Sequence, residues 1–292
     1  MMENERINYG PLHGLWAVTN RELKKWYKEP FIFIISLVQP IIWIGLFGKA
    51  MNLGAIFSAG SLNIPGLNIP KQVIDEISQE VLKSTFGTTD YFSFLAVGML
   101  SFIVLFSAMS SGMTIVWDRR LGFLNKMLTT PLPRGNVIMG KVLSSVIKAL
   151  VQAVIVLLIA ILLGLTFSAQ LTIMSIIITF FALFLLAMGL SSLFIMLAIR
   201  STRWETQMAI MNLLNLPLLF ASNAFYPVKL MPSWLKPVVM INPLTYANNV
   251  ARAMLIGVTP TASVAFSIIY LLGFAVIFSF IGIFLSWKYI SS

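Results

Sequence analysis

No cysteine occurs anywhere in the 292 residues, which excludes a disulfide framework and any thiolate metal site. Histidine is nearly as scarce: His13 is the only one, so a polyhistidine metal centre is excluded too. Charged residues make up 10% of the chain, against about a quarter in an average soluble domain. With 58% of the residues hydrophobic, too little polar surface remains to cover a water-soluble fold. Carboxylates avoid the apolar stretches; Asp90, Asp118 and Glu205 come closest, each in a connection or at the end of a run. Ion-coupled carriers ordinarily bury an ionisable group along their path, which weighs against a proton-driven carrier and leaves coupling through neutral oxygens open. No catalytic or metal-binding residue is expected. Residues 1–9 include Glu3 and Glu5 with no apolar core behind them, so no cleavable signal peptide is expected.

What the chain does contain is long apolar helix. A bilayer core of about 30 Å takes roughly twenty helical residues to cross. Runs of that order occupy 31–50, 92–117, 149–167, 171–199, 208–225 and 262–290. The expected fold is all-α, a polytopic membrane protein with six transmembrane helices. Asn212, Asn215, Pro217 and Asn223 interrupt the fifth run. It reads either as a helix buried among the others or as one broken halfway.

The net charge of +10 is distributed for orientation. Basic residues flank apolar runs and form no stripe interleaved with aromatics, which argues against a nucleic-acid partner. Arg6, Arg21, Lys24, Lys25 and Lys28 precede the first run; Arg119, Arg120, Lys126, Arg134 and Lys141 separate the second and third. Arg200, Arg203 and Lys288 fall on the same side, and the opposite side is sparser. The expectation is a multi-pass protein of the cell membrane with both termini cytoplasmic.

Residues 1–30 read as a cytoplasmic tail ending in an interfacial helix. Leu15, Trp16, Thr19, Leu23, Trp26 and Tyr27 recur at helical spacing, with Arg21, Lys24, Lys25 and Lys28 on the other face. Pro30 then turns the chain into the membrane. Beyond the first span, 54–70 is rich in Gly, Asn and Pro and reads as loop, followed by an amphipathic helix carrying Val73, Ile77, Val81 and Leu82. Lys141, Ser144, Ser145 and Lys148 share a helical face, so the third helix begins before the bilayer. Lys148 reads either as the level where it enters or as a buried functional lysine. Gly135 to Lys141 fits G-x-x-x-x-G-K, but Val142 replaces the Ser/Thr that would hold magnesium and no strand precedes it, so nucleotide binding is not expected.

Two connections carry more information. In 117–134, Leu121, Leu124 and Leu128 fall on one face of a short helix that Pro131 and Pro133 stop. That ridge needs a partner, either the chain's own helices or a separate protein. In 225–252, Pro227, Pro232 and Asn242-Pro243 punctuate short apolar helices, with Trp234 and Tyr246 suited to an interface. Ser110, Ser111, Asn212 and Asn215 are polar groups at membrane depth. They either line a substrate path or bond helices together.

The first of these connections resembles the loop of type-two ABC exporter permeases, with pattern R-x-x-G-[TF]-L, a hydrophobic pair, then T-P-[VL]-x-R. Arg119, Gly122, Phe123, Leu124, Leu128, Thr130, Pro131 and Arg134 fit; Arg120 stands where many members have glutamate. The second resembles the same family's outer re-entrant motif, P-x-x-x-[LM]-P-x-W-L followed by N-P-[LM]-T-Y and an arginine. Asp90-Tyr91-x-x-Phe94-Leu95 resembles its second-span opening, with Val97 where proline is common. The resemblance covers almost the whole chain in order. It implies a transmembrane domain at 31–290 with an outer segment at 51–90, a cytoplasmic coupling loop at 118–135 and an outer re-entrant segment at 226–258.

It also implies a permease subunit of an ATP-driven exporter for drugs, lipids or lipid-linked saccharides. Such a subunit pairs with a second permease and with separate ATP-binding subunits, which hold the ATP and magnesium. Arg119, Gly122, Phe123, Leu124, Leu128 and Pro131 would contact the ATPase, with the interfacial Trp16, Leu23 and Trp26 forming the other side. Pro227, Pro232, Trp234, Asn242, Pro243 and Tyr246 would form the outer re-entrant motif. Membrane lipids are the remaining partner. A self-contained carrier or channel is the alternative.

Overall fold

The computed structural model describes residues 11–50, 71–129, 133–199, 201 and 203–289. Among them there is helix and no strand. Helix α1 (Pro11–Lys28) is followed after Glu29 by α2 (Pro30–Trp43) and a wider π-type turn, Ile44–Ala50. Then come α3 (Lys71–Phe86), α4 (Tyr91–Arg120), α5 (Phe123–Leu128), α6 (Arg134–Leu162), α7 (Ile173–Ile199) and α8 (Trp204–Phe220). A 3-10 turn at Val228–Leu230 leads to α9 (Lys236–Ile241), α10 (Pro243–Ile256) and α11 (Val264–Tyr289).

Helix α4 is the centre of the bundle. Its 30 residues, about 45 Å long, pack against α6, α7 and α10, and everything from Phe92 to Leu105 is buried. A helix hydrophobic all round sits in a protein core or in a membrane, and the packing of α6, α7 and α10 around α4 places it in the core. Asp90 starts it: its carboxylate accepts from the backbone N–H of Phe92 at 3.0 Å and of Ser93 at 3.2 Å. Gly122, at φ +72°, ends it, a conformation in which a side chain would clash.

Among the described residues, four stretches are long and apolar enough to cross a bilayer: Glu76–Arg120, Gly135–Leu162, Ile173–Ile199 and Val264–Leu285. A fifth is added if His13–Lys28 and Phe33–Leu46, bent by 72°, count as one span. The remaining helix of the expected six, α8, has 17 residues, at the short end of what crosses a bilayer, and is not among these stretches. It runs unbroken through Pro217 and stops at Phe220, five residues before the expected end at 225. Helix α6 starts at Arg134, so the G-x-x-x-x-G-K match is helix from its first residues and no phosphate-cradling loop exists there. The outer loop expected at 54–70 lies outside the described residues. Of the helix after it, Leu82 and Phe86 pack on Phe94, while Val73 and Ile77 stay exposed.

Candidate functional site

Helix α1 divides the face expected to lie along the membrane. Val18, Thr19 and Glu22 are buried against α6, whereas Trp16 and Tyr27 are exposed. Leu23 is half-buried, and Trp26 meets Phe33 edge-on at 5.0 Å. Thr19 Oγ1 donates to the carbonyls of Leu15 and, across the interface, Gly140. Glu22, the sole carboxylate of α1, has a partner inside: Lys141 Nζ lies 3.4 Å from its Oε1. The same Nζ is 2.5 Å from Asp118 Oδ2 and 3.4 Å from Thr114 Oγ1, so all three donors of the ammonium have acceptors. Lys141 is 1% exposed, Glu22 1% and Asp118 3%. Arg21 and Lys25 reach the same carboxylates from the partly exposed side.

Glu22 and Asp118, expected in the tail and at the end of a run, are thus buried as well. Asp118 does stand at a helix end, but α1 folds over it and closes it off from water. Glu22 was missed because four cations surround it in sequence. The available signal was its spacing with Val18 and Thr19, one helical turn away.

Beside the cluster lies a cavity of about 700 Å³ between α1, α2, α4 and α6. Its walls are largely apolar and aromatic, including Trp26, Ile35, Phe106, Trp117 and Phe123. Polar and charged side chains nonetheless make up most of the lining residues, among them Glu22, Lys25, Glu29, Ser110, Asp118, Lys148 and Gln152. Size and lining are those of a small-molecule site. Gln152 donates to Ser36 Oγ, leaving its Oε1 buried with no partner. Lys148, two turns beyond Lys141, lines this space, so the reading of it as merely an entry level is incomplete.

Of the four residues expected along a substrate path, only Ser110 lines this cavity. Ser111 is buried, its Oγ donating to the Ala108 and Ser191 carbonyls, which is helix-to-helix bonding. Asn212 is exposed on α8, and Asn215 keeps a buried Oδ1 without a partner.

The short helix α5 splits the expected contact residues. Leu124 is 3% exposed and faces the chain's own helices; Leu121 precedes the helix and is 61% exposed, with Phe123 at 43%. The three-leucine ridge is therefore not one surface. The side chain of Leu128, and Pro131 altogether, lie outside the described residues. Arg119 points inward instead: its guanidinium donates to the carbonyls of Ile199, at 2.6 Å, and Ser201, closing the end of α7. Arg21 of α1 lies over the Phe123 ring, 5.3 Å from its centre, tying α5 to α1.

At the far end of α4, the proline-punctuated segment is held by two side chains. Asn242 Nδ2 donates to the carbonyls of Leu218 and Ala221, the loose end of α8, while its Oδ1 accepts from Leu244 N–H and caps α10. Pro243 then supplies the first helical residue, where no N–H is needed. Arg252 stacks on Phe94, 3.4 Å from the ring centre, and donates to the carbonyls of Phe94, Asn223 and Ala224. Tyr246 donates to Met240 O and stacks on Tyr270. Pro227 opens the 3-10 turn; Pro232 and Trp234 are exposed.

The sequence matches the family described as ABC-2 type transporter over residues 13–256. It is 28% identical over 242 residues to a protein of Cyanophora paradoxa described as transport permease ycf38, covering 82% of this chain and 73% of that one. The protein of the same description from Porphyra purpurea is 26% identical over 241 residues, with the same coverage. The one from Pyropia yezoensis is 27% identical over 236 residues, 80% of this chain and 71% of that one. The match runs from α1 through the ion cluster, the cavity, α5 and the Asn242–Arg252 segment without a break. The chain belongs to the ABC-2 type transporter family and is a multi-pass membrane permease.

Proposed function

We propose that this chain is the membrane subunit of an ATP-driven exporter that moves an amphipathic or lipid-like substrate outward across the cell membrane. It has six spans, α2 and α8 crossing together with the four longer helices, and both termini are cytoplasmic. A second permease subunit covers the exposed faces of α2 and α8. ATP and magnesium are held by a separate ATP-binding subunit that docks on the exposed Leu121 and Phe123 of the 118–135 loop. The 226–258 segment dips into the outer leaflet.

The observation that carries this reading is a shared wall. Leu121 and Phe123 line the 700 Å³ cavity and also stand at the surface where a partner would press. Movement of α5 therefore reshapes the cavity directly, a two-state element biased from outside rather than chemistry in this chain. Apolar and aromatic wall together with charged and polar side chains, Lys25, Lys148 and Glu29 among them, suit an amphiphile.

The test is reconstitution of the chain with its ATP-binding subunit in vesicles and measurement of fluorescent-amphiphile flux. Flux should need nucleotide and fall at least tenfold in Ser110→Trp, which fills the cavity, while the complex still assembles. Flux from the chain alone, without ATPase or nucleotide, would make it a self-contained carrier and overturn the reading.

A further inference from the structure

At the end of the bundle opposite the ion cluster lies a second cavity, of about 430 Å³, unrelated to the first. Its charged lining is of one sign. Lys229 comes from the 3-10 turn, Lys236 from the start of α9 and Arg252 from α10, and no carboxylate lines it. The nearest acidic side chains in sequence are Asp90, which caps α4, and Glu76 and Glu80 on the exposed face of α3. The segment 51–70, which precedes α3, has no charged residue to add.

The three cations differ in kind. The Arg252 guanidinium is buried and fixed by three backbone carbonyls and the Phe94 ring, so its charge is a permanent floor. Lys229 and Lys236 are exposed, and among the described residues no carboxylate lines the cavity to hold them. Thr85, Thr259 and Thr261 add hydroxyls; Pro227, Val228 and Val258 give the rim an apolar side. Trp234, 72% exposed, stands between the two lysines in sequence, the aromatic expected at headgroup level.

We propose that this cavity binds a phosphate-bearing anion, the headgroup of a lipid with net negative charge, through Lys229, Lys236 and Arg252. Three cations without a counter-charge repel one another, and a doubly hydrogen-bonding phosphate relieves that repulsion while the apolar rim meets the acyl chains. Its assignment to an outer leaflet rests on the orientation proposed above; the binding itself does not.

The full chain is purified in a neutral detergent and titrated with short-chain phosphatidylglycerol or phosphatidylcholine, bound lipid being read by native mass spectrometry. Wild type should prefer phosphatidylglycerol by about tenfold or more, the attraction of two near-surface lysines for an anionic headgroup. K229Q/K236Q should lose that preference and K229R/K236R keep it, while K83Q on α3 leaves it unchanged. Arg252 is kept because its carbonyl bonds hold the turn. Added inorganic phosphate identifies the source: displacement of the lipid points to the free anion, and no displacement points to the headgroup with its chains. Equal affinity for the two lipids, or a preference that survives K229Q/K236Q, would overturn the proposal. Neither result depends on ATPase or flux, so it can fail while the export reading stands.

Discussion

Lys141 Nζ lies 2.5 Å from Asp118 Oδ2, joining α6 to the last full turn of α4 inside the protein. Removing Lys141 leaves the buried Glu22 and Asp118 side by side with only the partly exposed Arg21 and Lys25 to offset them, which costs more than the pair contributes. Lys141→Met should therefore lower stability by about 3 kcal/mol, within the range for breaking such a pair. Lys25→Met, whose side chain is partly exposed, should cost far less. The check is thermal melting of the purified chain in detergent. Adding Asp118→Asn to Lys141→Met should recover part of the loss; a simple sum of the two single effects would argue against direct coupling.

Leu124 and Leu121 should separate folding from association. Leu124→Asp buries a charge among the chain's own helices and should reduce the yield of monodisperse protein in size-exclusion chromatography. Leu121→Asp and Phe123→Asp change exposed surface and should preserve that yield while weakening co-purification with the ATP-binding subunit at least tenfold. Normal co-purification of both would remove α5 as the docking element.

Asn242 acts through both ends of its amide. Asn242→Ala frees the Leu218 and Ala221 carbonyls and uncaps α10, at a cost of about 2–4 kcal/mol from an N-cap and buried acceptors together. Asn242→Asp keeps the capping oxygen but aims a carboxylate at two carbonyls, so it should melt no higher than the alanine variant. A higher melting temperature for Asp would mean that capping alone matters here.

Gly98 faces the turn after α8. A Cβ there would lie 2.3 Å from the Ala224 carbonyl oxygen and 2.7 Å from Arg252 Nη2. Backbone cannot yield as a flexible side chain does, so Gly98→Ala should destabilise by about 1–3 kcal/mol, the usual cost of overpacking. Gly273→Ala, with open space around it, should be neutral or slightly stabilising. Melting temperatures of the two variants decide this.

Much of the architecture was legible because it is local. Apolar run length, Asp90 before Tyr91, Gly122 after Arg120 and Asn242-Pro243 before α10 mark helices within a few residues of themselves. The order of the interfacial helix, the coupling loop and the proline-rich segment pointed to the family for the same reason. Faces and partners were not legible in the same way. The Arg119 guanidinium closes α7 some eighty residues further on. Ser110 and Ser111 are adjacent, but neighbours on a helix point about 100° apart and only Ser110 reaches the cavity.

Sequence by itself therefore determined a membrane-embedded, cysteine-free, all-helical chain, because the scarcity of charge leaves no other place for so much apolar surface. Tertiary structure alone decided where the few charges go. Glu22, Asp118 and Lys141 come from three separate helices, and Arg252 meets the carbonyls of a turn 28 residues before it. In a low-dielectric interior each such group needs a partner, and that partner is set by how helices pack, which no local pattern records.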